Sequence, residues 1–117
     1  MQAGDIYLVE IPPSGGHEQA GLRPAVIAQT IASEKLPTVL IVHLTSKQKA
    51  ADFPFTFIIE PDRLNNLDVI SVALVFQLRA IDRKRLKSKI GEIGVEKMKL
   101  LKQSLKEIMG CRLDICY

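Results

Sequence analysis

Residues 38–44 read Thr-Val-Leu-Ile-Val-His-Leu and carry the strongest strand signal in this chain of 117 residues. β-Branched and large aliphatic side chains favour the extended, pleated backbone of a sheet. The segment follows Leu36-Pro37, which punctuates the chain, and it runs into the polar residues 45–49. The sequence therefore predicts a β-strand over residues 38–44 that ends in a polar loop.

Further strand signals lie on both sides of this segment. The first is an alternating pattern that stops at Pro12-Pro13, because proline cannot continue a central ladder. A glycine-rich polar loop, residues 14–21, follows it. The additional predicted strands are residues 5–11, 25–29, 55–59, 69–72 and 74–81.

The period of the apolar pattern changes near the C-terminus. Six apolar side chains recur there at helical spacing, with lysines between them: Val95, Met98, Leu101, Leu105, Ile108 and Met109. Gly94 precedes this segment, and Gly110 lies where a C-terminal glycine cap is favoured. A curled sheet of five or six strands, covered by one amphipathic C-terminal helix, buries both patterns. We therefore predict one mainly β domain of the α+β class, barrel-like in architecture, over residues 1–117.

The composition is typical of a folded domain, with 47% hydrophobic and 25% charged residues. The N-terminus has neither a basic region nor a long apolar stretch, and the longest apolar runs, residues 39–42 and 72–76, are too short to cross a bilayer. The only two cysteines, Cys111 and Cys116, do not make a secreted disulfide framework. We expect a cytoplasmic protein with reduced thiols and no membrane segment.

Positive charge is concentrated in the C-terminal third of the chain. Residues 79–112 carry eleven lysine and arginine side chains against four acidic ones. Such a surface can neutralise phosphates and so bind a nucleic acid without sequence preference. A solvated helix face with ordinary lysines explains the same charges, so the charge alone leaves both interpretations open.

The sequence lacks the residue patterns of metal sites and nucleotide-binding loops. His17 and His43 lie far apart, and no cluster of His, Cys or carboxylate side chains has the spacing of a metal site. Gly15-Gly16 is not followed by the Gly-Lys-Ser/Thr of a nucleotide-binding loop. We therefore expect no metal and no cofactor.

Two polar segments interrupt the apolar pattern, and with their neighbours they resemble one known family. The matching segments are residues 4–9 (Gly-Asp-Ile-Tyr-Leu-Val), 13–16 with 18–21 and Arg23-Pro24, 38–42 with Leu44-Thr45-Ser46, and 77–86 (Gln-Leu-Arg-Ala-Ile-Asp-Arg-Lys-Arg-Leu). In this order they resemble the MazF/PemK family of toxins, from Met1 to about Met109.

The resemblance implies a homodimeric SH3-like barrel that acts as the toxin of a toxin–antitoxin pair. It implies a sequence-specific endoribonuclease that cleaves single-stranded RNA without a metal. The 2′-hydroxyl attacks the adjacent phosphorus and leaves a 2′,3′-cyclic phosphate and a 5′-hydroxyl. It also implies a partner, a MazE-like antitoxin whose tail covers the active-site groove.

The resemblance also assigns roles to residues. Arg23 matches the catalytic arginine, and a permanently charged planar guanidinium suits a phosphorane. Thr45 matches the active-site threonine, and Glu18 is the candidate acid or base. His17 stands where the family commonly has serine. The residues expected to contact RNA are His17, Gln19, Ser46, Lys47, Gln77 and Arg79.

Two alternative functions remain open at this point. A CcdB-like toxin would inhibit gyrase, but such relatives carry a tryptophan near the C-terminus, and this chain has none. A non-catalytic RNA-binding barrel would stack bases on aromatic side chains. Phe53, Phe55 and Phe57 are the only aromatic cluster, and they explain a core or a dimer interface equally well.

Overall fold

The computed structural model describes residues 1–11, 21–30 and 35–110. In these residues the elements are β1 (Asp5–Ile11), β2 (Gly21–Ile27), β3 (Thr38–Thr45), β4 (Thr56–Ile59), β5 (Ser71–Leu74), β6 (Arg79–Asp82), β7 (Leu86–Glu92) and α1 (Gly94–Ile108). Short 3-10 turns occupy Gln48–Asp52, Val75–Gln77 and Arg83–Arg85. The predicted class, mainly β with a C-terminal helix, is confirmed.

The strands form one antiparallel sheet in the order β4-β5-β3-β2-β1-β7, and β6 also pairs with β3. β3 is the centre of this sheet. Its residues 41–43 pair with β2 along one edge, while on the other edge residues 38–41 pair with β6 and residues 44–45 pair with β5. The sheet branches at β3, which pairs with both β5 and β6 along one edge. Among the described residues no ladder joins β4 to β7, so the sheet is not closed into a barrel.

Apolar side chains fill both faces of the sheet. On one face Ile6, Val26 and Val42 occupy one register row and are fully buried. This face packs against α1 through Leu101, which is also fully buried. On the other face a second cluster forms around Ile41. The runs of β-branched residues that predicted these strands are therefore the ones that build the core.

The helix keeps only part of its predicted apolar stripe in the core. Leu101 is buried, and Met98 and Leu105 pack against the same cluster. Val95 and Met109, in contrast, are 72% and 74% exposed. At the C-terminus Gly110 has a φ of +75° and its N–H donates to the carbonyl of Glu107, as expected of a glycine cap.

The strand boundaries differ from prediction in two informative places. β7 is not among the predicted strands, and its sequence contains two lysines, a serine and a glycine. Among the described strands it lies at an edge of the sheet and pairs only with β1, with shifts in its register. Charged side chains are tolerated at such an edge. The predicted strand at residues 74–81 is interrupted by the 3-10 turn Val75–Gln77.

A loop between β4 and β5, residues 60–70, is organised by a buried amide. Asn65, 1% exposed, accepts hydrogen bonds at Oδ1 from the N–H groups of Asp62 and Leu67, both at 3.0 Å, and donates from Nδ2 to the carbonyl of Glu60 at 2.8 Å. Gly91 of β7 lies directly beneath, where a Cβ atom would meet the Asn65 carbonyl oxygen at 2.5 Å. The loop can therefore sit close to β7 only because this position has no side chain.

Candidate functional site

A cleft with a volume of about 400 Å³ opens at the end of the sheet where β2 begins and β3 ends. Its walls come from three parts of the chain: the strand ends of β1 to β3, the loop before β5, and β7. The lining residues are Leu8, Gly21, Leu22, Arg23, Pro24, Leu44, Ser46, Asn66, Leu67, Asp68, Val69, Ser71 and Ile90.

The cleft lies where β2 and β3 cease to pair. Their ladder runs from Ile27 opposite Ile41 to Ala25 opposite His43 and stops there. The next residue of β2 is Pro24, which has no N–H to donate. Beyond this point β3 pairs with β5 through Leu44 and Thr45. The strand ends are therefore not tied to each other, and the cleft occupies this end of the sheet.

Arg23 and Thr45 lie at these two adjacent strand ends. If the register of Ala25 and His43 is continued by two residues on each strand, Arg23 falls opposite Thr45. Because side chains alternate along a strand, both share the face of Ala25 and His43. The two residues, 22 positions apart in the sequence, therefore lie at the ends of neighbouring strands.

Of the two residues, Arg23 lines the cleft and Thr45 does not. Arg23 is half-buried and lines it, together with Leu44 and Ser46, which flank Thr45. Thr45 itself is half-buried on the opposite face from Leu44. Its Oγ1 accepts a hydrogen bond of 3.2 Å from the N–H of Lys47. This bond uses a lone pair of the hydroxyl and leaves its O–H able to donate to another group.

The segment after β3 is joined to the loop before β5. The Gln48 side-chain nitrogen donates to the carbonyl of Ile70 at 3.1 Å and to that of Ser46 at 3.4 Å. Ser46 and Lys47 are exposed. The bond to Ile70 connects the two walls of the cleft that carry Ser46 and Val69.

Other predicted site residues lie elsewhere. Gln77 and Arg79 are exposed and do not line the cleft. Arg79 pairs with Ile41, four residues before Thr45 on β3, and thus about 13 Å away along the strand. His17, Glu18 and Gln19 lie outside the described residues, as do both cysteines.

Sequence reasoning did not select the polar residues on the far wall of the cleft, Asn66, Asp68 and Ser71. Asp62 Oδ1 accepts from the N–H groups of Leu64 and Asn65, so the sequence around them builds a self-bonded turn. The only signal in the sequence was a polar stretch with two asparagines between two strands, and any surface turn has such a signal. Their place in the wall of the cleft becomes apparent only in the folded structure, where this loop and β2 line the same cleft.

In the part of the chain that the structure describes, ion pairs join acidic side chains of β1 to basic side chains in and before β7. Glu10 pairs with Arg85 at 3.7 Å and with Lys87 at 3.6 Å, and the nearly buried Asp5 pairs with Lys89 at 3.4 Å. No three His, Cys, Asp or Glu side chains of residues 1–11, 21–30 and 35–110 come together as metal ligands. In the same residues no helix is both long and apolar enough to span a bilayer.

Comparison with known proteins places the chain in a family. Residues 2–109 match the family model described as PemK-like, MazF-like toxin of type II toxin–antitoxin system. Endoribonuclease MazF of Staphylococcus saprophyticus subsp. saprophyticus is 36% identical over 111 residues, which cover 94% of this chain and 92% of that protein.

Solved structures share the fold. MazF from Deinococcus radiodurans superposes with a TM-score of 0.75 at 26% identity, covering 94% of this chain and 96% of that one. A MazE–MazF structure from the same organism has a TM-score of 0.77 at 24% identity, covering 96% and 97%. Because the family model matches residues 2–109 of its 117 residues, this chain belongs to the PemK-like, MazF-like family of toxins of type II toxin–antitoxin systems.

Proposed function

We propose that this chain is a metal-independent endoribonuclease that cleaves single-stranded RNA at specific sequences and acts as the toxin of a toxin–antitoxin pair. The observation that carries the proposal is that Arg23 and Thr45 lie at the ends of two neighbouring strands and that Arg23 lines a cleft there. It is supported by the 36% identity to a protein named endoribonuclease MazF.

The reaction needs no group that the chain lacks. The 2′-oxygen of one nucleotide attacks the adjacent phosphorus, the bond to the 5′-oxygen of the next nucleotide breaks, and a 2′,3′-cyclic phosphate and a 5′-hydroxyl result. One group must take the proton of the 2′-hydroxyl, and one must give a proton to the leaving oxygen. We assign Glu18 to one of these two roles, as the acid or the base.

Arg23 and Thr45 stabilise the charge that develops on phosphorus. A guanidinium can hold two non-bridging oxygens at once and stays charged at every working pH. The Thr45 hydroxyl accepts from the N–H of Lys47 and can therefore direct its proton to a phosphate oxygen. Donors placed before the reaction stabilise the transition state without reorganising during it.

RNA would be held on both sides of this centre. Ser46 and Lys47 lie at the end of β3, beside Thr45, and are exposed. Gln77 and Arg79 are exposed near the edge of β3 that pairs with β6. From there Arg79 can reach a phosphate further along the RNA than the one being cleaved. His17 and Gln19 complete the proposed set from the loop before β2. The formal charge of +3 favours a polyanion.

Two protein partners belong to the proposal. A MazE-like antitoxin would cover the active-site groove with an extended tail, and the MazE–MazF structure of D. radiodurans supports a partner of this kind. A second copy of the chain would cover exposed apolar side chains. The rings of Phe53 and Phe76 lie with centroids 5.5 Å apart at an interplanar angle of 51°, and these residues are 58% and 39% exposed, so they favour a homodimer. We place the activity in the cytoplasm, where its RNA substrates are.

A cleavage assay with purified protein and a mixed pool of single-stranded RNA tests this function. With excess EDTA present throughout, the wild-type protein should cut the RNA and leave 5′-hydroxyl ends. Arg23→Ala should reduce cleavage about 100- to 1000-fold, the loss typical of removing one oxyanion-type donor. Arg63→Ala is the matched control, because Arg63 is exposed and does not line the cleft.

The outcomes separate the function from its mechanism. Intact RNA with the wild-type protein would overturn the nuclease proposal. Cleavage that requires added magnesium would overturn the metal-free mechanism. After a cut site has been mapped, a 2′-deoxy sugar at the nucleotide before the cut should abolish cleavage, because it removes the attacking oxygen. Cutting at the deoxy position would exclude the cyclic-phosphate route.

A further inference from the structure

We infer that the cleft beside Arg23 is a base-reading site in which Asp68 selects a nucleobase bearing an exocyclic amino group and rejects uracil. This inference rests on the proposed nuclease function and names what that site recognises. It follows from the size of the cleft, the chemistry of its walls and the hydrogen bonds that its polar side chains already make.

The cleft suits one nucleotide. Its volume of about 400 Å³ lies at the lower end of the range of about 300–1000 Å³ for small-molecule sites. Much of its wall is aliphatic and comes from opposite sides: Leu8 and Leu44 from the sheet, Leu67 and Val69 from the loop. Apolar walls of this kind hold the flat faces of a base that has been turned out of its strand.

The polar groups of the far wall offer acceptors. Ser71 Oγ donates its single proton to the carbonyl of Val69 at 3.1 Å, so only its lone pairs remain available. The side-chain nitrogen of Asn66 donates to the carbonyl of Ile90 at 2.7 Å, and its side-chain oxygen remains an acceptor. Both residues line the cleft and keep oxygen lone pairs that can accept from a ligand.

Asp68 is the strongest of these acceptors. Asp68 lines the cleft and is exposed, and its side chain makes no hydrogen bond or ion pair with residues 1–11, 21–30 and 35–110. An ionised carboxylate accepts hydrogen bonds and cannot donate them. Adenine, cytosine and guanine each present an amino group to such an acceptor. Uracil presents two carbonyl oxygens, with one N–H between them, and these oxygens are repelled by the carboxylate.

Arg23 links this base site to the chemistry. It lines the same cleft and is the residue proposed to hold the reacting phosphate. A base in the cleft would then belong to a nucleotide next to the scissile phosphate. Recognition of the base by Asp68 would thus place the phosphodiester at Arg23. A base that the cleft rejects would leave the phosphodiester out of position.

Sequencing the 5′ ends of fragments from a randomised single-stranded RNA pool tests the assignment. The wild-type protein should cut about tenfold less often when uracil occupies one particular position flanking the cut, the scale expected for one good base contact. Asp68→Asn should restore cleavage of RNAs with uracil at that position, because the amide can donate to a uracil carbonyl. Preferences at all other positions should stay unchanged.

Glu60→Gln is the matched control, since it also removes one exposed carboxylate from the same loop without touching the cleft. Its preferences should equal those of the wild type. The inference is overturned if the wild type cuts equally well with uracil at every flanking position, or if Asp68→Asn keeps the wild-type preferences. A uniform loss of cleavage over all sequences in Asp68→Asn also overturns it, because that would show a role in the chemistry. A wild-type protein that cuts no RNA would refute the nuclease function itself.

Discussion

Replacing Asn65 by alanine should cost about 3 kcal/mol of unfolding free energy, because this one side chain makes three hydrogen bonds to the backbone of its own loop. The amide accepts from Asp62 and Leu67 and donates to the carbonyl of Glu60 while only 1% exposed. Each such bond contributes about 1 kcal/mol net, and a buried partner left unsatisfied costs about 1–3 kcal/mol. For a chain of this length the loss corresponds to a decrease in Tm on the order of 10 °C.

Urea denaturation followed by circular dichroism measures this effect. Asn66→Gly is the matched control, because the side chain of Asn66 makes one described hydrogen bond, to the carbonyl of Ile90, and the residue has a φ of +54° that glycine adopts without strain. The control should lose less than about 1 kcal/mol, since the relieved backbone offsets part of the lost bond. An Asn65→Ala variant within about 0.5 kcal/mol of the wild type would refute the reasoning, because the loop would then not depend on this amide. Equal losses in both variants would refute it as well.

Two further changes test the packing that supports the cleft. Gly91→Ala would bring a Cβ atom to 2.5 Å from the carbonyl oxygens of Leu64 and Asn65, so we expect a loss of at least about 2 kcal/mol in urea denaturation; unchanged stability would mean that the loop does not lie against β7. Leu101→Ala should cost about 2–5 kcal/mol, because the side chain is fully buried under the sheet, whereas Val95→Ala, with Val95 72% exposed, should change stability by less than about 0.5 kcal/mol. Similar losses in the two helix variants would show that α1 does not dock through Leu101.

The stability of the 60–70 loop and the proposed activity are coupled through the cleft. Asn66, Leu67, Asp68 and Val69 all line it, and they follow directly after the buried Asn65. A variant that loosens this loop should therefore lose discrimination between RNA sequences as well as stability. Asp68→Asn changes the acceptor without changing the buried amide, so the two effects can be measured separately.

Much of the fold could be read from local patterns. β1 has the predicted bounds, Asp5–Ile11, and β3 extends the predicted strand by one residue to Thr45. These strands lie in the interior of the sheet, where β-branched side chains are needed on both faces, so their composition reports their position. The helix was found by its period, although only its middle turn, around Leu101, is buried.

Local patterns could not reveal elements whose structure depends on a neighbour. β7 is a strand because β1 offers it an edge, and its lysines and glycine carry no strand preference of their own. Phe55 was expected in a strand, but it has a φ of +60° and β4 begins at Thr56. Its carbonyl accepts a hydrogen bond from Val75, a contact twenty residues away that no local propensity describes.

The residues of the candidate site fall into the same two groups, those that the sequence identifies and those that only the folded structure identifies. Arg23 and Thr45 were selected because the residue types and their order match a family motif, and that information is present in the chain itself. Asp68 belongs to no motif, and its carboxylate acquires a possible role only because Asn65 and Gly91 bring its loop to the end of β2. A short motif records which groups chemistry requires, whereas a cleft wall depends on how distant backbone segments pack, and packing is a property of the whole chain.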